Sequence, residues 1–196
     1  MKKTINEIAA WLGIAQTFEE AVVTGVSINT RTLEPGDLFI PFRGENVNGH
    51  KYVAQAFEQG AAAAFWQKDE PNPPQDVPLL FVEDSEEALQ QMARAYRSEH
   101  NATFIAVTGS NGKTSTKDLI AGTLAPYYKV QKTEGNYNNQ LGLPLTLLGL
   151  DEDTQFAVLE MGMDGFHQIE LLTKLAEPHY AVITNIGEAH MEALGS

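Results

Sequence analysis

A chain of 196 residues can form one ordinary domain or two small ones, and a composition of 43% hydrophobic and 20% charged residues belongs to a packed globular protein, not a disordered one. A formal charge of −13 argues against a general nucleic-acid binder, which needs Lys and Arg to replace phosphate counterions. The absence of Cys excludes a disulfide framework or thiolate metal cluster, and with no secretory h-region after Met1-Lys2-Lys3 and no long apolar run, membrane insertion is not expected and a cytoplasmic location is the default.

In chain order, Thr4-Ile5-Asn6-Glu7 has the form of a capping box, and Ile5, Ile8, Ala9 and Leu12 recur at helical spacing up to Gly13. A short helix therefore opens the chain. Residues 22–28 and 38–42 are expected to be strands around a turn holding Pro35-Gly36, residues 52–58 a helix closed by Gly60, and residues 62–66 and 79–82 two further strands. Residues 68–78 contain four prolines and several acids, which suits a surface loop. Ser85 is expected to cap a helix reaching about His100, with Ala88, Leu89, Met92, Ala93 and Tyr96 on one face.

The domain boundary is placed at the start of that helix, giving a small α/β domain at residues 1–83 and a second domain at residues 84–196. The second domain reads as a strand at 104–107, a glycine loop, a helix from Lys113, a strand near Val130, a strand at 156–159, a helix at 166–176 and a strand at 181–186. Apolar strands separated by helices imply a mostly parallel sheet covered on both faces, so the fold class is α/β with a partial P-loop sheet domain.

Thr108-Gly109-Ser110-Asn111-Gly112-Lys113-Thr114-Ser115 joins a strand to a helix. Such a loop turns its N–H groups toward one point, where the positive end of the helix adds to their field, and makes a polyphosphate site. Lys113 would reach the outer phosphates and the Thr114 hydroxyl would ligate magnesium. The strict motor and GTPase pattern needs Gly at Val107 and is absent. A tight turn with an incidental lysine is the alternative.

Glu160 ends a predicted strand on the same edge as the loop, where open parallel sheets bind ligands, and a carboxylate there can ligate magnesium opposite Thr114. The run Gly135 to Asn139 holds three Asn and a Gly, rich in amide donors and acceptors, which turn chemistry alone also explains.

The loop, Gly135-Asn136-Tyr137-Asn138-Asn139, Glu160-Met161-Gly162 and Asn185-Ile186-Gly187-Glu188-Ala189-His190 occur together in an order that resembles the Mur ligase family. Asn29-Thr30-Arg31, Pro35-Gly36-Asp37-Leu38-Phe39, Arg43-Gly44 and Asn48-Gly49-His50 are similar to landmarks of that family's uridine-diphosphate-binding domain, with Asn29 and Asn48 where the family more often has Asp. The resemblance implies ATP and magnesium as cofactors, with residues 108–115 holding ATP and Lys113, Glu160 and His190 acting in catalysis. It places Thr114, Glu160 and His190 on magnesium, and Thr30, Arg31, Asn48, Gly49, His50, Asn136 and Asn139 at the UDP-substrate. The Glu160-Met161-Gly162 and Gly135 to Asn139 motifs resemble the member that joins D-alanyl-D-alanine to UDP-N-acetylmuramoyl-tripeptide through an acyl phosphate. The member adding the third amino acid and a non-catalytic nucleotide-binding module are the other readings. Family members continue past the position of Ser196 with a carbamylated lysine and a third domain, so the 196-residue chain alone is expected not to turn over.

Overall fold

The computed structural model describes residues 1–187, so the expectation for His190 lies outside the described residues. The chain divides into two compact units, Met1–Ala95 and the residues from Tyr96 onward. This division falls inside the helix that begins at Ser85.

In the first unit, β1 (Lys3–Thr4) leads into α1 (Ile5–Trp11). The capping box forms as expected: Glu7 N donates to Thr4 Oγ1 at 3.2 Å and Thr4 N donates to Glu7 Oε2 at 2.7 Å. The predicted strand at 22–28 is two pieces. β2 (Val22–Val23) pairs antiparallel with β1, while β3 (Gly25–Ser27) joins β4 (Asp37–Phe39), β5 (Ala63–Gln67) and β6 (Leu79–Val82) in a parallel sheet of order β3-β4-β5-β6. β5 is buried throughout, as a central parallel strand with both faces covered must be. A 3-10 turn at Gly49–Tyr52 runs into α2 (Val53–Glu58), and Val53 and Ala56 pack on Phe39, Ala64, Trp66 and Leu79 to form the core.

Helix α3 (Ser85–Glu99) buries Ala88, Leu89, Met92, Ala93 and Tyr96 as its periodicity predicts. Its cap is one residue earlier than expected. Asp84 Oδ1 accepts from Glu86 N at 2.8 Å and Glu87 N at 2.9 Å, because a carboxylate reaches two amides and carries charge favourable at a helix start.

The second unit contains β7 (Thr103–Thr108), α4 (Lys113–Leu124), β8 (Val130–Lys132), α5 (Gly142–Leu148), β9 (Phe156–Glu160), α6 (Gln168–Ala176) and β10 (Tyr180–Ile183). Its sheet is parallel throughout in the order β10-β7-β9-β8. The chain leaves β7 toward β8, returns to β9 and then crosses to β10 on the other side of β7. That reversal is a topological switch point, and the crevice for ligands lies at the C-terminal ends of these strands. Val107, Val158 and Ala121 form a core between the sheet and α4. Helix α5 has no counterpart in the sequence reading. Pro144 obscured it, yet it sits in the first turn, where its missing N–H costs no helical bond. Helix α6 ends where the Arg97 guanidinium donates to the carbonyls of Ala176 at 2.5 Å and Glu177 at 2.6 Å.

Candidate functional site

Strand β7 brings Thr108 to the C-terminal edge, and residues 109–112 turn into α4. Gly109 has φ of 135°, and a Cβ there would lie 2.1 Å from Thr184 Oγ1 and 3.0 Å from the backbone of Asn185. Only glycine fits this approach. The segment after β10 braces the loop: Ser110 N donates to Asn185 O at 3.1 Å, Asn111 N to Asn185 Oδ1 at 2.9 Å, and the Thr184 hydroxyl to Asn111 O at 2.6 Å. Gly187 N donates to Ser110 Oγ at 2.9 Å. The sequence groups Asn185 and Gly187 with His190, and the structure gives both to the loop. The first-turn amides of Lys113, Thr114 and Ser115 are those a helix leaves unpaired for an anion. Lys113 Nζ folds back to donate to Gly109 O at 2.8 Å, and Thr114 and Ser115 are exposed on the first turn.

Glu160 closes β9, in register with Val107 one residue before Thr108, and is 3% exposed. Its Oε1 accepts from Asn138 Nδ2 at 2.9 Å, and its N–H donates to Thr133 Oγ1 at 2.9 Å. Its Oε2 is buried with no hydrogen-bond partner. A buried acceptor without a donor is costly, and a carboxylate oxygen in that condition is a place for a cation. Lys117 Nζ is 3.8 Å from it and donates to Thr133 O at 2.8 Å. Beside this cluster a pocket of about 220 Å³ is lined by Lys113, Asn138, Asn139, Gly162, Asp164 and Gln168, among others.

Asn138 and Lys117 were not singled out by sequence. Of the three Asn, Asn138 touches the carboxylate. Asn139 instead holds the turn into α5, its Oδ1 accepting from Leu141 N at 3.1 Å and Gly142 N at 2.8 Å. Asn136 is exposed. The one signal in the sequence was the spacing of Lys117 from Lys113, one turn along the same helix face, which does not show its burial; Asn138 packs over Gly162, whose Cβ would meet the amide at 3.1 Å, a contact only the fold reveals.

In the first unit, Thr30, Arg31 and Gly49 line a pocket of about 540 Å³ with Phe39, Phe42 and Tyr52. Asn29 Oδ1 accepts from Arg31 N at 3.0 Å, a turn that needs only an acceptor oxygen and so tolerates Asn in place of Asp. Asn48 and His50 are placed differently from the expectation. His50 is 3% exposed, with Nδ1 at 2.8 Å from Asn48 Oδ1 and Nε2 accepting from Gln67 N at 3.2 Å. Both ring nitrogens are therefore engaged, and the neutral tautomer carries its proton on Nδ1. Asn48 Nδ2 donates to both Glu70 oxygens at 3.0 Å, a bond Asp could not make. Arg43 pairs with Asp69 at 2.7 Å and Glu70 at 2.8 Å, fastening the 68–78 loop. Neither Asn48 nor His50 is among the residues that line the pocket, whereas Gly49 between them is.

Residues 107–196 match the Mur ligase middle domain, and residues 22–97 match the Mur ligase family, catalytic domain. Over its whole length the chain is 50% identical to the UDP-N-acetylmuramoyl-tripeptide–D-alanyl-D-alanine ligase of Bacillus subtilis, covering 44% of that protein. The chain belongs to the Mur ligase family. Among Mur ligases of known structure, MurF from Acinetobacter baumannii superposes with a TM-score of 0.89 at 31% identity, covering 100% of this chain and 44% of that one. MurF from Thermotoga maritima in complex with ADP superposes with a TM-score of 0.76 at 33% identity, covering 85% of this chain and 38% of that one. The chain thus spans less than half the length of these Mur ligase relatives.

Proposed function

We propose that this chain is the UDP-substrate-binding and nucleotide-binding part of a ligase that joins D-alanyl-D-alanine to UDP-N-acetylmuramoyl-tripeptide with ATP. The observation that carries the proposal is the braced loop, with Lys113 and the first-turn amides of α4, on the same sheet edge as a buried carboxylate oxygen that has no hydrogen-bond partner. The pocket holding Thr30, Arg31 and Gly49 is the proposed seat of the uridine diphosphate, and Asn136, exposed in the second unit, is the proposed further substrate contact. Residues 1–83 then serve as the substrate handle and residues 84–196 as the ATP domain, in the cytoplasm where ATP and a UDP-linked precursor are both available.

Magnesium fits the residues present. Glu160 Oε2 offers an uncommitted oxygen, the Thr114 hydroxyl is exposed on the first turn of α4, and His190 is the proposed further ligand. Among the described residues no three His, Asp or Glu side chains converge, so most ligands must be phosphate oxygens and water, the usual manner of magnesium binding. When bound, the ion offsets charge on the transferring phosphoryl group.

The substrate's terminal carboxylate attacks the γ-phosphorus, the bond to ADP breaks, and an acyl phosphate forms. The amine of D-alanyl-D-alanine then attacks the acyl carbon, phosphate leaves and the amide remains. No side-chain nucleophile is needed. Lys113 and the loop amides position the phosphates and meet the developing charge, the usual source of catalysis in such transfer.

The test is phosphate release by a protein of the relatives' full length, supplied with ATP and the UDP-tripeptide. Release with D-alanyl-D-alanine supports the proposal. Turnover on a UDP-dipeptide with single amino acids would make it the ligase for the third residue, and tight nucleotide binding without turnover would make it a binding module.

A further inference from the structure

Lys117 is 3% exposed and has no part in the chemistry above. A buried ammonium is rare unless paired, so its surroundings define its role. Thr133 joins the two residues: its carbonyl accepts from Lys117 Nζ at 2.8 Å and its hydroxyl accepts from the Glu160 backbone N–H at 2.9 Å. Lys117 Nζ then stands 3.8 Å from Glu160 Oε2, close enough for charge attraction but too far for a hydrogen bond, so the lone pairs of Oε2 stay uncommitted. The other carboxylate near Lys117, Asp118 at 3.6 Å, is engaged with Lys132 at 2.7 Å.

We propose that Lys117 is the resident counter-ion of the Glu160 site, a positioning residue whose ammonium holds a cation's place beside Oε2. The site therefore refuses a free divalent ion and accepts one only together with a polyphosphate. This rests on the reading of Glu160 as a magnesium ligand. The Lys117 ammonium, 3.8 Å from Oε2, offsets the charge of that oxygen, so a free divalent ion gains little there and meets a like charge already in place. The several negative charges and oxygens of a triphosphate supply the attraction that Glu160 alone does not. Among the described residues too few carboxylates converge here to hold the ion without the nucleotide.

The experiment titrates Mn²⁺ into the 196-residue chain without nucleotide, counting free Mn²⁺ by its paramagnetic resonance signal. Removing the positive charge with Lys117→Gln, which can still donate to Thr133 O, is expected to tighten Mn²⁺ binding on the order of tenfold. Lys117→Arg, which keeps the charge, should bind as the parent chain does. In Lys117→Gln/Glu160→Gln the gain should vanish. No gain in Lys117→Gln, or an equal gain in Lys117→Arg, overturns the inference. A gain that persists in the double variant means that Glu160 is not the ligand, and the magnesium reading itself fails. Should Lys117→Gln lose its far-UV circular dichroism, Lys117→Met is titrated in its place with the same expectations.

Discussion

At Gly109, backbone and neighbours impose the same requirement. A β-carbon at its φ of 135° carries strain of about 1–3 kcal/mol, and the overlap with Thr184 Oγ1 at 2.1 Å adds to it. Since 1.4 kcal/mol is a factor of ten, Gly109→Ala is expected to weaken ADP binding by about tenfold or more, measured by calorimetry, with helix content retained. Unchanged affinity would show that the loop adapts. Asn138 makes a second prediction: Asn138→Ala strips Glu160 Oε1 of its donor at 2.9 Å. Losing a hydrogen bond to a buried charged group costs about 1–3 kcal/mol, readable as a lowered urea midpoint, and an unshifted midpoint would assign the orientation of Glu160 to other groups. The sequence made the strand, loop and helix around residues 108–115 and the strand end at Glu160 legible, because apolar run, glycines and helical pattern are local signals. Asn138 and Lys117 were not legible, since their importance comes from a fold that brings residues 117, 133, 138 and 160 to one point.

Elements whose signals are local were read correctly, such as the capping box of α1 and the buried face of α3. Those set by partners were not. Residues 22–28 look like one strand, and only pairing with different neighbours divides them into β2 and β3. The 3-10 turn at Gly49–Tyr52 belongs with these, because His50 looks exposed and polar in sequence and is sealed by β5. Burial holds the His50 ring below its ordinary value of 6.5, and the Gln67 N–H aimed at Nε2 leaves no acceptor for a second proton. Unfolded His50 takes up a proton near that value and the folded ring does not, so the unfolded state binds more protons as pH falls. Stability of the first unit should therefore drop as pH decreases below about 6.5 and level out once the folded ring also protonates. Asp37 and Glu86, pushed up by burial, act in the opposite sense nearer their ordinary values of 3.8 and 4.5. Urea midpoints from tryptophan fluorescence between about pH 8 and about pH 5.5 should show the loss, and His50→Gln should flatten it. An equal slope in the variant would assign the effect elsewhere.

Over the whole molecule, alternating strands and helices made the α/β class legible, and the two compact units divide within α3, across which one helical pattern runs uninterrupted. Each unit has its own sheet and its own core, around Phe39 and Trp66 in the first and around Val107 and Val158 in the second. The protein's two tryptophans, Trp11 and Trp66, both lie in the first unit, so their fluorescence follows that unit while far-UV circular dichroism follows both. The phosphate loop lies wholly in the second unit. A ligand at about 100 times its dissociation constant stabilises the state that binds it by about 2.7 kcal/mol. Mg·ADP should therefore move the dichroism transition in urea and leave the tryptophan transition nearly in place, separating two curves that lie closer together without ligand. UDP, directed at the pocket of Thr30 and Arg31, should move the tryptophan curve instead. If Mg·ADP shifts both curves together, the two units unfold as one and the ligand's energy is shared across α3.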